Sequence, residues 1–258
     1  MVEKSQKALK PESSLPTQNF RKVAPTLPDK PEHGMSVMTA FQQIRELIVH
    51  GRLSPGTWVV EGDLAERLNI SRTPVRAALH WLQRDGYVHE HRTANKCRIV
   101  VAPLTKEDAG ELYSIIGHTE GLAGRMVASL PEKLRMDLSK KLTALNEQLG
   151  AIRENSTGTG SIFDLDREFH CLIVEAGAGP RLLTLHKAVE PQAERYWRLY
   201  ASSILHDLRL SVAEHEAIIA ALRRGDANEL EKALQLNWQK GWERLSKVID
   251  VFGERGSW

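Results

Sequence analysis

The stretch that most constrains the fold is residues 64–82, LAERLNISRTPVRAALHWL. It reads as two short helices joined by a tight turn. In the second, Val75, Ala78, Leu79 and Leu82 recur at helical spacing and form an inward stripe, which leaves Arg72, Thr73, Arg76 and His80 on the opposite side. Ser71 stands where an N-cap belongs, and Pro74 is tolerated in the first turn because its missing N–H would be an orphan there anyway. Asn69 suits a left-handed residue before the turn. A helix that opens with Ser, Thr and Arg suits the DNA major groove: hydroxyls and the helix N-terminus meet phosphate, and an arginine grips guanine O6 and N7. Arg76 is the candidate for base readout, with Ser71, Arg72, Thr73 and His80 around it.

Charge is distributed to match. Residues 1–102 hold 15 Lys and Arg against 10 Asp and Glu, whereas the remainder holds 20 against 23. Between Arg67 and Arg98 seven basic residues face only Asp85 and Glu90, so the amino-terminal part is the end at which a phosphate backbone docks. After residue 82, Asp85-Gly86 turns the chain into two short strands, 87–90 and 97–101, with a basic loop between them. This is a wing, and Arg92, Asn95 or Lys96 supplies its contact.

The run from about residue 41 to 101, which contains IRELIVHGRLSPGTWVVEGDLAERLNISRTPVRAALHWLQRDGYVHEH, resembles the winged helix-turn-helix domain of the GntR family of bacterial transcription regulators. One departure is visible: that family usually places a glycine near the wing tip, and RTANKCR has none.

Residues 1–33 are polar and proline-rich without an apolar period, and are expected to form a disordered arm. Residues 34–102 then form the DNA-binding domain and 103–252 an all-α domain, so the fold class is mainly α with a small β wing. Thr105 with Asp108 caps the first bundle helix, whose stripe is Leu112, Ile115, Ile116, Thr119, Leu122 and Met126. In the second, Leu134, Leu138, Leu142, Leu145, Leu149 and Ile152 form a near-heptad seam. After a loop at 156–160, Ser161 or Asp164 caps a third helix ending at 177–180. A fourth runs over 180–201, a fifth over 208–224 and a sixth over 226–251.

Four polar side chains share the inward faces of these helices: Asp166 and His170, four apart on the third, His215 on the fifth and Asn237 on the sixth. Burying a carboxylate and two imidazoles without partners costs several kcal/mol, so something should pair them. A divalent metal, or hydrogen bonds among themselves and to an organic ligand, would do so.

The motifs DREFH at 166–170, SVAEHEAII at 211–219 and RRGDANELEKAL at 223–234 resemble the FCD effector domain of FadR-subfamily GntR regulators, in its VanR-like six-helix type. The resemblance implies a metal held by Asp166, His170 and His215: zinc first, with nickel or manganese as alternatives. Asn237 stands where the family has a further histidine, and Ile116 where many relatives carry an arginine for the effector carboxylate. Arg195, Arg198, Tyr196, His118 and Trp238 are therefore the candidates for effector contact.

The combined expectation is a cytoplasmic regulator, acting as a repressor, that binds a palindromic double-stranded DNA operator as a homodimer and is released by a small metabolite, a carboxylate, near the metal. Cys97 and Cys171, far apart, make no disulfide framework, and no apolar run long enough to span a membrane occurs. The alternatives are a metal-dependent hydrolase joined to a DNA-binding module and a metal-free regulator of the same fold.

Overall fold

The structure, a computed structural model, describes residues 33–93, 96–152, 159–204 and 208–256. The arm expected over 1–33 lies outside these apart from His33, as do Asn95 and residues 156–158 of the expected loop.

In α1 (His33–Val49), Ala40, Ile44, Leu47 and Ile48 are buried together, and Gly51, at a positive φ of 68°, lets the chain leave the helix. β1 (Trp58–Val59) leads into α2 (Glu61–Leu68) and α3 (Arg72–Arg84). Asn69 closes α2 in the left-handed region (φ 53°, ψ 45°), its N–H reaching the carbonyls of Ala65 and Glu66. Ser71 holds the extended N-cap position of α3, but its hydroxyl accepts no bond from the first turn. The cap expected of that side chain is therefore absent, which leaves both the hydroxyl and the first backbone N–H groups available.

β2 (Val88–Thr93) and β3 (Lys96–Val101) pair antiparallel, and β1 adds to the other edge of β3. The register runs from Val88 opposite Val101 to Thr93 opposite Lys96. The wing is thus longer than the sequence suggests: Arg92 and Lys96, expected in a loop, stand on strands, because pairing continues outward from the buried Val88 and Val101 until only two residues remain for the turn. Val75, Ala78, Leu79 and Leu82 of α3 pack with α1, Tyr87, Val88 and Val101 in one apolar core.

Among the described residues six helices follow: α4 (Lys106–Ala128), α5 (Glu132–Ala151), α6 (Thr159–Gly177), α7 (Pro180–Ile204), α8 (Leu208–Arg224) and α9 (Ala227–Phe252). Thr105 accepts the Asp108 N–H at the start of α4, and Asp226 accepts those of Asn228 and Glu229 at the start of α9. α6 starts at Thr159, earlier than Ser161 or Asp164, so these lie inside the helix rather than capping it.

The expected stripe of α4 needs correction. Leu112 and Ile116 are buried, but Ile115, Leu122 and Met126 are 40%, 48% and 52% exposed. The inward face is instead Leu112, Tyr113, Ile116, Gly117, Glu120, Ala123, Gly124 and Val127. Small residues let α9 close on this face: a methyl at Gly124 would lie 2.5 Å from Leu234 Cδ1, and one at Gly117 3.0 Å from Trp238 Cβ. Counting large apolar side chains picks the wrong side of such a helix. In α5 the seam Leu138, Leu142, Leu145 and Leu149 is buried, while Leu134 is exposed.

Bonds from α7 join the DNA-binding part to the helices. Gln192 and Arg195 of α7 donate to the carbonyls of Asp85 (2.5 Å) and Ala102 (2.6 Å). Residues 253–256 fold back, where Leu104 and Arg255 exchange backbone hydrogen bonds of 2.8 and 3.1 Å and Tyr200 donates to the Gly253 carbonyl.

Candidate DNA interface and effector cavity

The apolar side of α3 is spent on its core, so Ser71, Arg72, Thr73, Arg76 and His80 are all exposed on the other side. On the wing Arg92 and Lys96 are exposed too, with Arg92 held by Glu90 through bonds of 2.9 and 3.1 Å. Arg76 is held as well: its Nε donates to Glu61 Oε1 (2.9 Å) and Oε2 (3.1 Å), and its Nη2 to Oε2 (2.7 Å). The pair draws the Glu61 carboxyl below its usual range, chiefly through the Arg76 hydrogen bonds against the smaller effect of burial.

The second candidate site is a cavity within the helical domain. α6 brings Asp166 and His170 to it one turn apart, and α9 brings Asn237 and Trp238. α8 places His215 immediately behind, fully buried and stacked 3.9 Å from the Phe169 ring. One ligand-capable atom of each of Asp166, His170 and His215 lies within 4.8 Å of the other two.

The protonation of His215 follows from its neighbours. The Asn146 amide nitrogen donates to the Val212 carbonyl (3.0 Å), so its oxygen faces His215 Nδ1 at 3.1 Å and accepts the proton there. Nε2 then carries a lone pair. That atom is buried without a hydrogen-bond partner, and Asp166 Oδ1 lies 3.4 Å from it. Burial, with the His170 charge adding to it, pushes His215 well below the usual imidazole range, so it stays neutral. Burial likewise raises Asp166. A lone pair facing a carboxylate oxygen is repulsive unless a proton or a metal cation lies between them. These residues fit a divalent metal, whose ordinary ligands they are.

His170 is oriented by a residue that the sequence did not bring to notice. Glu120 of α4, 0% exposed, accepts from His170 Nδ1 (2.6 Å), His186 Nε2 (3.0 Å) and Trp238 Nε1 (2.7 Å), and so ties α4, α6, α7 and α9 together. Burial alone would raise the Glu120 carboxyl, but the His170 charge and the hydrogen bonds of both imidazoles outweigh it and hold it down at about 2. Burial opposes the charge on His170, yet Glu120 beside it pushes the imidazole up to about 9. The signal that could have revealed Glu120 is its spacing: it falls four residues after Ile116, one turn along the same buried face.

Asn237 donates to Glu214 Oε2 (3.0 Å), whose carboxylate also takes Arg244 Nη1 (2.7 Å) and Nη2 (3.0 Å). With its amide nitrogen so engaged, Asn237 keeps its amide oxygen to accept with. Of the expected effector contacts only Trp238 lines the cavity. Arg195 is buried against Ala102, Tyr196 is fully buried and donates to Asp108 (2.5 Å), Arg198 is held by Glu194, and His118 is exposed and bonded to its own helix. The reason is helical phase: on α7 the cavity face is His186, Glu190, Ala193, Glu194 and Trp197, and Arg195 and Tyr196 fall off it. The arginines at the cavity are Arg167, paired with Glu190 at 2.6 Å, and Arg244.

A basic helix presented beside a β wing, joined to a helical domain built around a polar cavity, defines a transcription regulator that couples a DNA-binding module to a second domain. The chain belongs to the GntR family of bacterial regulatory proteins: residues 37–93 match that family's DNA-binding domain and residues 111–239 match the FCD domain. A probable D-xylose utilization operon transcriptional repressor of Paenarthrobacter nicotinovorans is 30% identical over 201 residues, covering 76% of this chain and 84% of that one. An uncharacterized HTH-type transcriptional regulator, YdhC, of Bacillus subtilis (strain 168) is 24% identical over 213 residues, covering 81% and 91%. Among solved structures, McbR/YncC of E. coli shares the fold with a TM-score of 0.62 at 20% identity, covering 82% of this chain and 97% of that one. The protein is therefore a transcription regulator and not an enzyme, which sets aside the hydrolase alternative.

Proposed function

We propose that the protein is a repressor that binds an inverted-repeat operator as a homodimer and lets go when a small carboxylate binds in the FCD cavity beside a divalent metal. The DNA-binding domain spans 34–102 and the effector domain 103–252. Each α3 enters a major groove, with Ser71, Arg72, Thr73, Arg76 and His80 on DNA and Arg92 and Lys96 on neighbouring phosphates. The description of the P. nicotinovorans relative as an operon repressor supports the direction of control.

The observation that carries the metal is the His215 lone pair set against Asp166. Asp166, His170 and His215 would hold the ion, zinc before nickel or manganese, and the Asn237 oxygen would stand in for the usual fourth side chain. The ion would supply a positive centre for an acid. Trp238 and Tyr113 form apolar wall for the effector's body, and Arg167 and Arg244 replace the expected Arg195 and Arg198 as its cationic neighbours.

The homodimer is supported by α4. Ile115, Leu122 and Met126 fall on one exposed face, an apolar stripe suited to a second copy. α7 links cavity and DNA-binding domain, since Glu190 lines the cavity and Gln192 holds the turn after α3. A reducing cytoplasm suits two free cysteines, and among the described residues no helix is long and apolar enough to cross a membrane.

The test is metal analysis of protein purified without chelator, followed by binding to a duplex selected from a random pool, with and without a panel of small carboxylates. Stoichiometric metal, and release from DNA by an acid only in the metal-loaded protein, is the expected result. Release by the same acid from metal-stripped protein would favour the metal-free regulator.

A further inference from the structure

We propose that Glu61 is a specificity-determining residue: it braces Arg76 so that the arginine presents its end edge to a guanine. The inference rests on the reading that α3 enters the major groove and Arg76 meets a base. A guanidinium carries five N–H groups in one plane. Both oxygens of Glu61 occupy its side edge, Nε and one proton of Nη2. The end edge, Nη1 and the outer proton of Nη2, meets no partner among the described residues. Two parallel N–H groups on that edge match the O6 and N7 acceptors of guanine.

The brace acts through entropy and through charge. A free arginine loses rotamer freedom when DNA orders it, and setting its plane in advance lowers that cost. A carboxylate close to phosphates works against binding to every duplex alike. Glu61 thus weakens general affinity while sharpening the guanine contact, which is how discrimination is built from a repulsive element and an attractive one together. A purely structural role is small, because an ion pair whose side chains are 63% and 27% exposed is screened by water and adds little to stability.

The experiment uses full-length protein, a duplex that the wild type selects from a random pool, and a scrambled duplex. Dissociation constants are measured across a salt series for the wild type, Glu61→Gln and Arg76→Ala, with 7-deazaguanine replacing each guanine of the selected site in turn. The expected result is that Glu61→Gln binds the selected duplex about tenfold more weakly and the scrambled duplex as well or better, with the salt slope unchanged. The guanine whose 7-deaza substitution weakens the wild type should lose that effect in Arg76→Ala. An unchanged ratio between the two duplexes in Glu61→Gln overturns the brace, whether both constants hold or both tighten equally. Should Arg76→Ala instead weaken both duplexes alike and reduce the salt slope by about one, Arg76 contacts phosphate only; the base-reading role fails first and the brace with it.

Discussion

The Nε2 atom of His215 lies 3.4 Å from Asp166 Oδ1 while Asn146 holds the imidazole proton on the far side of the ring. A cation between the two groups would stabilise the folded protein by mass action, about 2.7 kcal/mol at a hundredfold excess over its dissociation constant. Zinc should therefore raise the unfolding temperature of metal-stripped wild type. Asp166→Asn and His215→Gln should abolish the rise. Asn146→Leu, which releases the tautomer without touching a ligand atom, should weaken zinc by about 10–100-fold. Titration calorimetry checks each, and undiminished affinity in Asn146→Leu would show that the amide does not set the tautomer.

Glu120 and the two histidines around it predict a pH dependence for the metal-free protein. His170 is raised in the folded state to about 9, so its contribution is complete below the unfolded value of 6.5 and is lost as pH climbs toward 9. His215 is lowered, so its contribution is complete above 6.5 and is lost below. Glu120, lowered to about 2, adds a further loss as pH falls from 4.5. Chelated wild type should be most stable near pH 6.5. Glu120→Gln should cost about 3 kcal/mol there, because one acceptor oxygen becomes an NH2 facing other N–H donors and the charge beside His170 is lost, and it should flatten the alkaline limb. Urea midpoints between pH 4 and 9 would show it, and an alkaline limb surviving in Glu120→Gln would mean His170 is not its source.

Much of this arrangement was legible in the residues and some was not, for a physical reason. Period 3.6 exposes a helix whose buried face is large and apolar, so α3 and α5 stand out, and Asp166 and His170 at one-turn spacing necessarily share a side. α4 hides its inner face because Gly117, Ala123 and Gly124 contribute backbone proximity rather than apolar area. Glu120 sits in that face and is hidden with it. His186 and Gln192 point to different neighbours from one helix, and such a division depends on how α7 packs, which spacing alone does not tell. The return of residues 253–256 to Leu104 is a pairing between distant segments with no local pattern to announce it.

The contacts of α7 with the DNA-binding domain give a further prediction. Gln192→Leu removes the donor to the Asp85 carbonyl, and Arg195→Met removes a buried cation and its bond to Ala102. Each hydrogen bond is worth about 1 kcal/mol net, so amide exchange at residues 85–87 and at Ala102 and Leu104 should quicken about fivefold per bond while the helical core stays protected. If α7 carries the effector's message, the double variant should still bind effector and operator but lose the link between them. Release from DNA at wild-type effector concentrations would assign transmission to another route, with the tail at residues 253–256 next to be cut.

Leu122 on α4 offers the most direct check on self-association. Its side chain is 48% exposed between Ile115 and Met126 on one face, and nothing among the described residues covers that stripe. Leu122→Glu would place a carboxylate in a dimer contact there, while leaving the packing of α4 on α9 alone, since Gly117, Gly121 and Gly124 lie on the opposite side. Sedimentation should show a monomer with an unfolding temperature close to that of the dilute wild type. Two half-sites bound through one dimer gain effective concentration, so the monomer should lose about 10²–10⁴-fold in operator affinity and bind a single half-site as well as before. A variant that remains dimeric would move the interface to another face, and one that becomes monomeric yet keeps full operator affinity would remove the need for a dimer altogether.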